Sequence, residues 1–307
     1  MFRYLALRCA YAAVVLLCVA TIVFFLMRLK GDPALLFLPG SATPDDVAIY
    51  KAAHGLDKSL PVQYGFFLAS MLHGDFGTSL RYGEPSLQLV FERLPYTLLL
   101  AAAAAIIGLI LAVPLAIVAA VHKGSTADTL AMLVSLFGQS FPQFWLGLML
   151  ILLLAVRIKA FPPSGAGDIR NLVLPALTLG LGVAAIVARL LRANLIEVLS
   201  QDYVRTGRAK GLAEAPLLLR HALKNAALPS MTVFGLQLAA LISNAIVVEF
   251  VFGWPGIGRL ALTAIGQRDY PVVEAFVFVT GGVYVLLNLI VDLLYSWLDP
   301  RIRLAGA

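Results

Sequence analysis

Apolar residues gather in six long runs separated by polar segments of very unequal length. The runs are Cys9 to Met27, Thr97 to Val121, Leu130 to Val156, Leu172 to Leu191, Leu228 to Phe252 and Ala275 to Leu298. Each is long enough to cross a hydrocarbon core, which takes about 20 helical residues. They predict an all-α polytopic membrane protein with six transmembrane helices. The first run follows Arg3 and Arg8 as a signal peptide would, but it exceeds the usual apolar region and leads into Arg28 and Lys30 without an Ala-x-Ala site. It reads as an uncleaved anchor.

Two polar segments are sizeable. Between the first two runs, Thr43-Pro44-Asp45-Asp46 offers a cap, a proline at the first helical position and acids in a first turn, and Pro61 opens an amphipathic stretch that Gly74 closes. A small helical insertion is expected there. The second segment, Ala193 to Ala227, is the most basic part of the chain and reads as two short helices, Glu197 to Lys210 and Pro216 to Ala226, joined at Gly211. With six spans both termini share a side. Twelve Lys and Arg fall on that side and five in the short segments opposite, so the termini and the basic segment are assigned to the cytoplasm. The expected organisation is an N-terminal transmembrane helix over residues 1–28, an extracytoplasmic helical region over 29–96, a five-helix core over 97–298 with a cytoplasmic loop at 193–227, and a cytoplasmic tail over 299–307.

Composition narrows the class. Of 307 residues, 61% are hydrophobic and 13% charged, where a soluble domain carries about a quarter charged. A water-soluble or disordered chain is excluded. The net charge of +6 would invite nucleic acid as a partner in a soluble protein, but the positive-inside bias accounts for it, and no nucleic acid is expected. Cys9 and Cys18 stand nine residues, roughly 13 Å, apart on opposite helix faces and cannot bridge. His54, His73, His122 and His221 are scattered, so no metal site is expected. No G-x-x-x-x-G-K-[ST] loop and no G-x-S-x-G elbow occurs, so no catalytic residue and no bound cofactor is assigned.

Polar residues at membrane depth are the remaining signal, because an unpaired charge there is costly. Asp292 lies in the last run about seven residues, or roughly 10 Å, from its end, with Asn288 one turn earlier. An inter-helix clasp, with Arg189 or Arg192 as the partner of Asp292, and a role in a transport path are both open. Glu249 precedes Gly253-Trp254-Pro255-Gly256 and reads equally as a tether for that loop or as a path residue. Gln139-Ser140-Phe141-Pro142-Gln143 interrupts the third run, where the proline predicts a kink and Gln139, Ser140 and Gln143 could line a path.

The basic segment carries a specific pattern. Asp202-Tyr203-Val204-Arg205-Thr206-Gly207-Arg208-Ala209-Lys210-Gly211-Leu212, followed by His221-Ala222-Leu223-Lys224-Asn225-Ala226 and Leu228-Pro229, resembles the cytoplasmic loop of bacterial ABC importer permeases of the dipeptide, oligopeptide and nickel group. Further matches run in order along the chain, among them His73-Gly74-Asp75-Phe76-Gly77, Arg93-Leu94-Pro95, Trp254-Pro255-Gly256-Ile257-Gly258, Arg268-Asp269-Tyr270-Pro271 and Leu298-Asp299-Pro300-Arg301. Gly207 departs from the alanine usual in the family. The short N-terminus and the large insertion resemble the first of two permease subunits.

The resemblance implies a type I importer permease fold in the bacterial inner membrane. It implies a second permease, expected to be a different chain, two cytoplasmic ATPase subunits that bind the ATP, and an extracytoplasmic solute-binding protein, with membrane lipid around the spans. It also implies that the helix from Arg205 to Leu212 couples to an ATPase, with Tyr203, Val204, Arg205, Thr206, Gly207, Arg208, Ala209, Lys210, Gly211 and Leu212 as the contact stretch. Its cations would face an acidic rim while Val204 and Leu212 enter an apolar cleft. Peptide is the expected solute, with nickel or glutathione as alternatives. An ion-coupled secondary transporter using Glu249 or Asp292 is the rival reading.

Overall fold

The structure is a computed structural model, and it describes residues 10–11, 13–18, 20–22, 24–25, 38, 42–53 and 56–298, with side chains through 291. Among the described residues it is helical throughout and holds no strand. The helices are α1 (Ala13–Ile22), α2 (Pro44–Ala53), α3 (Leu60–Leu72), α4 (Ser86–Val121), α5 (Thr126–Ser140), α6 (Gln143–Leu150, continued by a π-helical stretch over Ile151–Arg157), α7 (Arg170–Leu199), α8 (Asp202–Ala209), α9 (Glu214–Val251), α10 (Ile257–Gln267) and α11 (Tyr270–Leu298). Four of them, α4, α7, α9 and α11, are long and apolar enough to cross a membrane, and a fifth span exists if the bent pair α5 and α6 is counted as one. The first of the six expected spans, Cys9 to Met27, is described in part, with α1 inside it.

The chain divides into two compact units, residues 96–259 with 287–307, and residues 1–95 with 260–286. In the first of these, α7 is the central helix: 67% of its apolar window is buried. Leu174, Leu179 and Val183 of α7 pack in one cluster with Leu100 of α4, Leu241 and Val248 of α9, and Phe252 and Trp254 beyond it. A second cluster joins Leu191, Leu195 and Val198 to Ala116 and Ala120 of α4 and to Ala222 and Ala226 of α9. The outward faces keep large apolar side chains exposed, among them Leu99, Ile106 and Ile110 on α4. Such a surface is matched by lipid, not water.

The expected kink in the third run is a complete break. α5 ends at Ser140, and the two helices meet at 108°. Phe141 is extended, at φ −107° and ψ 144°, because the ring of Pro142 disfavours helical geometry in the residue before it. The new helix begins at Gln143, with the Leu146 N–H donating to the Pro142 carbonyl at 3.0 Å. At Gly138 the backbone of α5 touches α7 so closely that a β-carbon would sit 2.4 Å from the Leu181 carbonyl oxygen.

In the other unit Phe24 is buried against Tyr64 and Phe67 of α3, with ring centroids 5.1 and 5.4 Å away, and the Thr21 and Tyr64 hydroxyls are hydrogen-bonded at 2.7 Å. At the start of α2 the Thr43 N–H and hydroxyl donate to Asp46, and the Asp46 N–H donates back to Thr43 Oγ1. These bonds hold the Asp46 carboxyl below its ordinary pKa. Thr78 and Pro85 form an isolated antiparallel bridge that closes a turn. Asp269, buried at the foot of α11, accepts the Ser79 hydroxyl and the N–H groups of Leu80 and Arg81 and so ties that turn in place.

Candidate functional site

The basic segment is built differently from the expected pair of helices. α7 runs on to Leu199, the chain breaks at Ser200 and Gln201, and only Asp202–Ala209 forms a separate short helix. The expected second helix, Pro216 to Ala226, is the opening of the long α9, entered through a π-helical stretch over Leu217–Ala222. α8 ends in a Schellman cap: the Leu212 N–H donates to the Gly207 carbonyl at 3.1 Å and the Gly211 N–H to the Arg208 carbonyl at 3.0 Å. Gly211 has φ +78°, which a side chain would strain.

The two faces of α8 differ sharply. Val204 is fully buried and Gly207 packs against Leu217, so Val204 anchors the helix to its own chain and cannot enter a partner's cleft as expected. Tyr203, Arg205, Thr206, Arg208, Ala209, Lys210, Gly211 and Leu212 are exposed. Of the cations, Arg208 donates to both carboxylate oxygens of Glu214, at 2.8 and 3.2 Å, which raises its pKa further. Arg205 lies 3.7 Å from the exposed Asp202. Asn225 reaches back from α9 to donate to the Tyr203 hydroxyl at 3.0 Å. α8 is thus a rigid bracket, slung between α7 and α9, presenting Arg205, Lys210 and Leu212 outward.

Glu249 is a different kind of residue from a path lining. It is fully buried, and its oxygens accept the Thr97 hydroxyl at 2.6 Å and the N–H groups of Gly258 and Arg259 at 2.8 and 3.1 Å. Thr97 in turn accepts the Ile257 N–H at 2.9 Å, and Trp254 donates to the Tyr96 carbonyl at 3.0 Å. The carboxylate therefore caps the first turn of α10 and locks the Gly253–Gly256 loop onto α4. A β-carbon on Gly256 would fall 2.2 Å from the Glu249 carboxylate, so the close approach requires glycine there.

Arg189 and Arg192 of α7 are both engaged. Arg192 makes a bidentate pair with Asp128 of α5, with two contacts of 2.6 Å, and Arg189 donates to Gln139. Arg192 is thus paired with a residue that the sequence reading did not single out. Asp292 is helical, but its side chain lies outside the described residues; Asn288 is half-buried on the same helix. The Ser140 hydroxyl donates to the Leu136 carbonyl and belongs to its own helix end. Gln139 and Gln143 flank the break and line a cavity of about 190 Å³ together with Gln237 and Asn244 of α9, two residues also unmarked in the sequence reading.

A bundle of apolar spans, one of them broken around polar side chains, with a cationic bracket protruding between two of them, defines a membrane transport subunit. The comparisons give its family. Residues 112–304 match the model described as "Binding-protein-dependent transport system inner membrane component", and residues 1–101 match the N-terminal model of the same transport systems, so the chain belongs to this family of ABC importer permeases. It is 39% identical over 304 residues, 99% of each chain, to the glutathione transport system permease protein GsiC of Salmonella typhimurium LT2. It is 40% identical over 289 residues, 94% of each, to the GsiC of Pectobacterium atrosepticum. Among solved structures, the inward-facing MetNI methionine ABC transporter aligns with a TM-score of 0.58 at 16% identity, covering 69% of this chain and 97% of that one. The protein is therefore a transport subunit of the type I importer fold and not an enzyme; ATP hydrolysis belongs to a separate subunit. The family assignment displaces the ion-coupled rival reading.

Proposed function

We propose that this chain forms half of the translocation path for short peptides delivered by a solute-binding protein, with glutathione, itself a tripeptide, as the first candidate. The observation that carries the reading is the near-full-length relation to permeases named for glutathione transport. The second permease is a different chain, and two ATPase subunits complete the importer. Both termini and α8 face the cytoplasm, in keeping with the distribution of Lys and Arg. Residues 1–28 anchor the chain, 29–96 form an extracytoplasmic helical region, 97–298 form the core and 299–307 a cytoplasmic tail.

Within this reading α8 is the coupling element: Arg205, Lys210 and Leu212 meet the ATPase while Val204 and Gly207 fix the helix to α9. Gln139 and Gln143 line the path, Ser140 shapes the break, Glu249 positions the loop before α10, and Asn288 with Asp292 serves as a clasp on α11. The test is uptake in a strain deleted for this gene. Labelled glutathione and dipeptide uptake should fall to background and return with the gene, while nickel uptake stays constant. Loss of nickel uptake with peptide uptake intact would overturn the solute assignment.

A further inference from the structure

At the break between α5 and α6 the chain carries more polar chemistry than a structural kink needs. The cavity there, about 190 Å³, is bounded by Gln139 and Gln143 on one side and by Gln237 and Asn244 on the other. Gln237 and Asn244 are seven residues apart on a spanning helix, nearly two full turns, and so share a face. Among the described residues, Gln143, Gln237 and Asn244 find no hydrogen-bond partner, and Asn244 is exposed. Ser230, a polar residue lower on α9, is by contrast buried and bonded to Asn194 at 3.1 Å. Amides in a spanning segment are tolerated where they face water or a polar ligand. These three are left open to one.

The chemistry of that ligand follows from the side chains. A primary amide offers two N–H donors and a carbonyl acceptor, and carries no charge. Three open amides around one chamber, beside the Gln139 amide that Arg189 holds, match the alternating N–H and C=O groups of a peptide backbone, and no residue lining the chamber carries a formal charge that would trap a terminus. A path has to bind its solute well enough to admit it and weakly enough to release it. The volume is that of roughly six waters, which suits one or two hydrated peptide groups and not a folded oligopeptide. Phe141, stacked on Trp145 with centroids 4.5 Å apart, supplies an apolar shoulder beside the amides.

We infer that this amide-lined chamber is a subsite that receives the backbone peptide groups of the solute in transit, so that the permease reads peptide bonds and leaves side chains to the binding protein. The inference rests on the peptide reading of the chain. Its test uses the complete importer in proteoliposomes. A diazirine-bearing tripeptide, photolysed during turnover, should attach to segments 139–143 and 237–244. The double variant Gln237→Leu/Asn244→Leu should take up tripeptide about tenfold more slowly, and Gln237→Asn/Asn244→Gln should recover much of that loss, separating the amide chemistry from misfolding. Adducts confined to other segments, or wild-type uptake in the leucine variant, would overturn the subsite while leaving the peptide reading standing. Absence of any peptide uptake by the wild-type importer would remove both.

Discussion

Glu249 shows how one buried carboxylate can organise a loop. Its acceptors take the Thr97 hydroxyl and two N–H groups of α10, and the neighbouring Gly256 leaves it room. Glu249→Gln keeps the shape but turns an amide nitrogen toward donors, and should destabilise the protein by about 2–3 kcal/mol. Thr97→Val, which removes both of the bonds made by the Thr97 hydroxyl, should cost about 1–2 kcal/mol. Thermal unfolding in detergent measures both; wild-type midpoints would mean that the clasp carries no stability. Glu249 itself was legible in the sequence as an acid beside the Gly253-Trp254-Pro255-Gly256 loop, but its partner Thr97 was not, since the two stand 152 positions apart. Asp128 escaped notice for another reason. An acid in a first turn after Ser125, whose hydroxyl accepts the Asp128 N–H, looks like ordinary helix punctuation, and nothing local reveals the arginine opposite it.

At the level of helices, apolar run length sufficed to locate five of the six spans, because a stretch of that length has few alternatives. The interruptions were less legible. Pro142 signals a bend, yet the size of the bend depends on how α6 repacks, and the π-helical entry of α9 has no local signature. The bracket α8 allows two predictions of opposite outcome. Gly207→Ala brings a β-carbon within 2.8 Å of the tip of Leu217, a flexible side chain that can yield, so the cost should stay within about 1 kcal/mol. Gly211→Ala forces a left-handed alanine and should uncap α8, lowering uptake while protein levels hold. Equal uptake by the two variants would contradict the Schellman cap as a functional feature. Between α5 and α7, Asp128→Ala should lower the unfolding midpoint by stranding Arg192, and the exchange Asp128→Arg/Arg192→Asp should recover part of it. Failure of any recovery would argue that the contact acts through packing alone.

For the whole molecule, the exposed apolar faces of the spans and the cationic bracket describe a subunit finished only by its surroundings. In the proposed function, lipid covers one and the importer's other chains meet the other. The family was visible in the sequence because its motifs run along nearly the entire chain, whereas the amide-lined chamber was not, since Gln237 and Asn244 look unremarkable until α9 is laid beside the broken span. The central claim is that α8 transmits ATP-driven movement to the spans it joins. The measurement that tests it most directly is ATP-dependent peptide uptake, with quantified ATPase co-purification, for the wild-type importer and for Arg205→Glu/Lys210→Glu. The account predicts that the variant inserts at normal levels but loses uptake and most of its bound ATPase. Full uptake with the ATPase retained would contradict it.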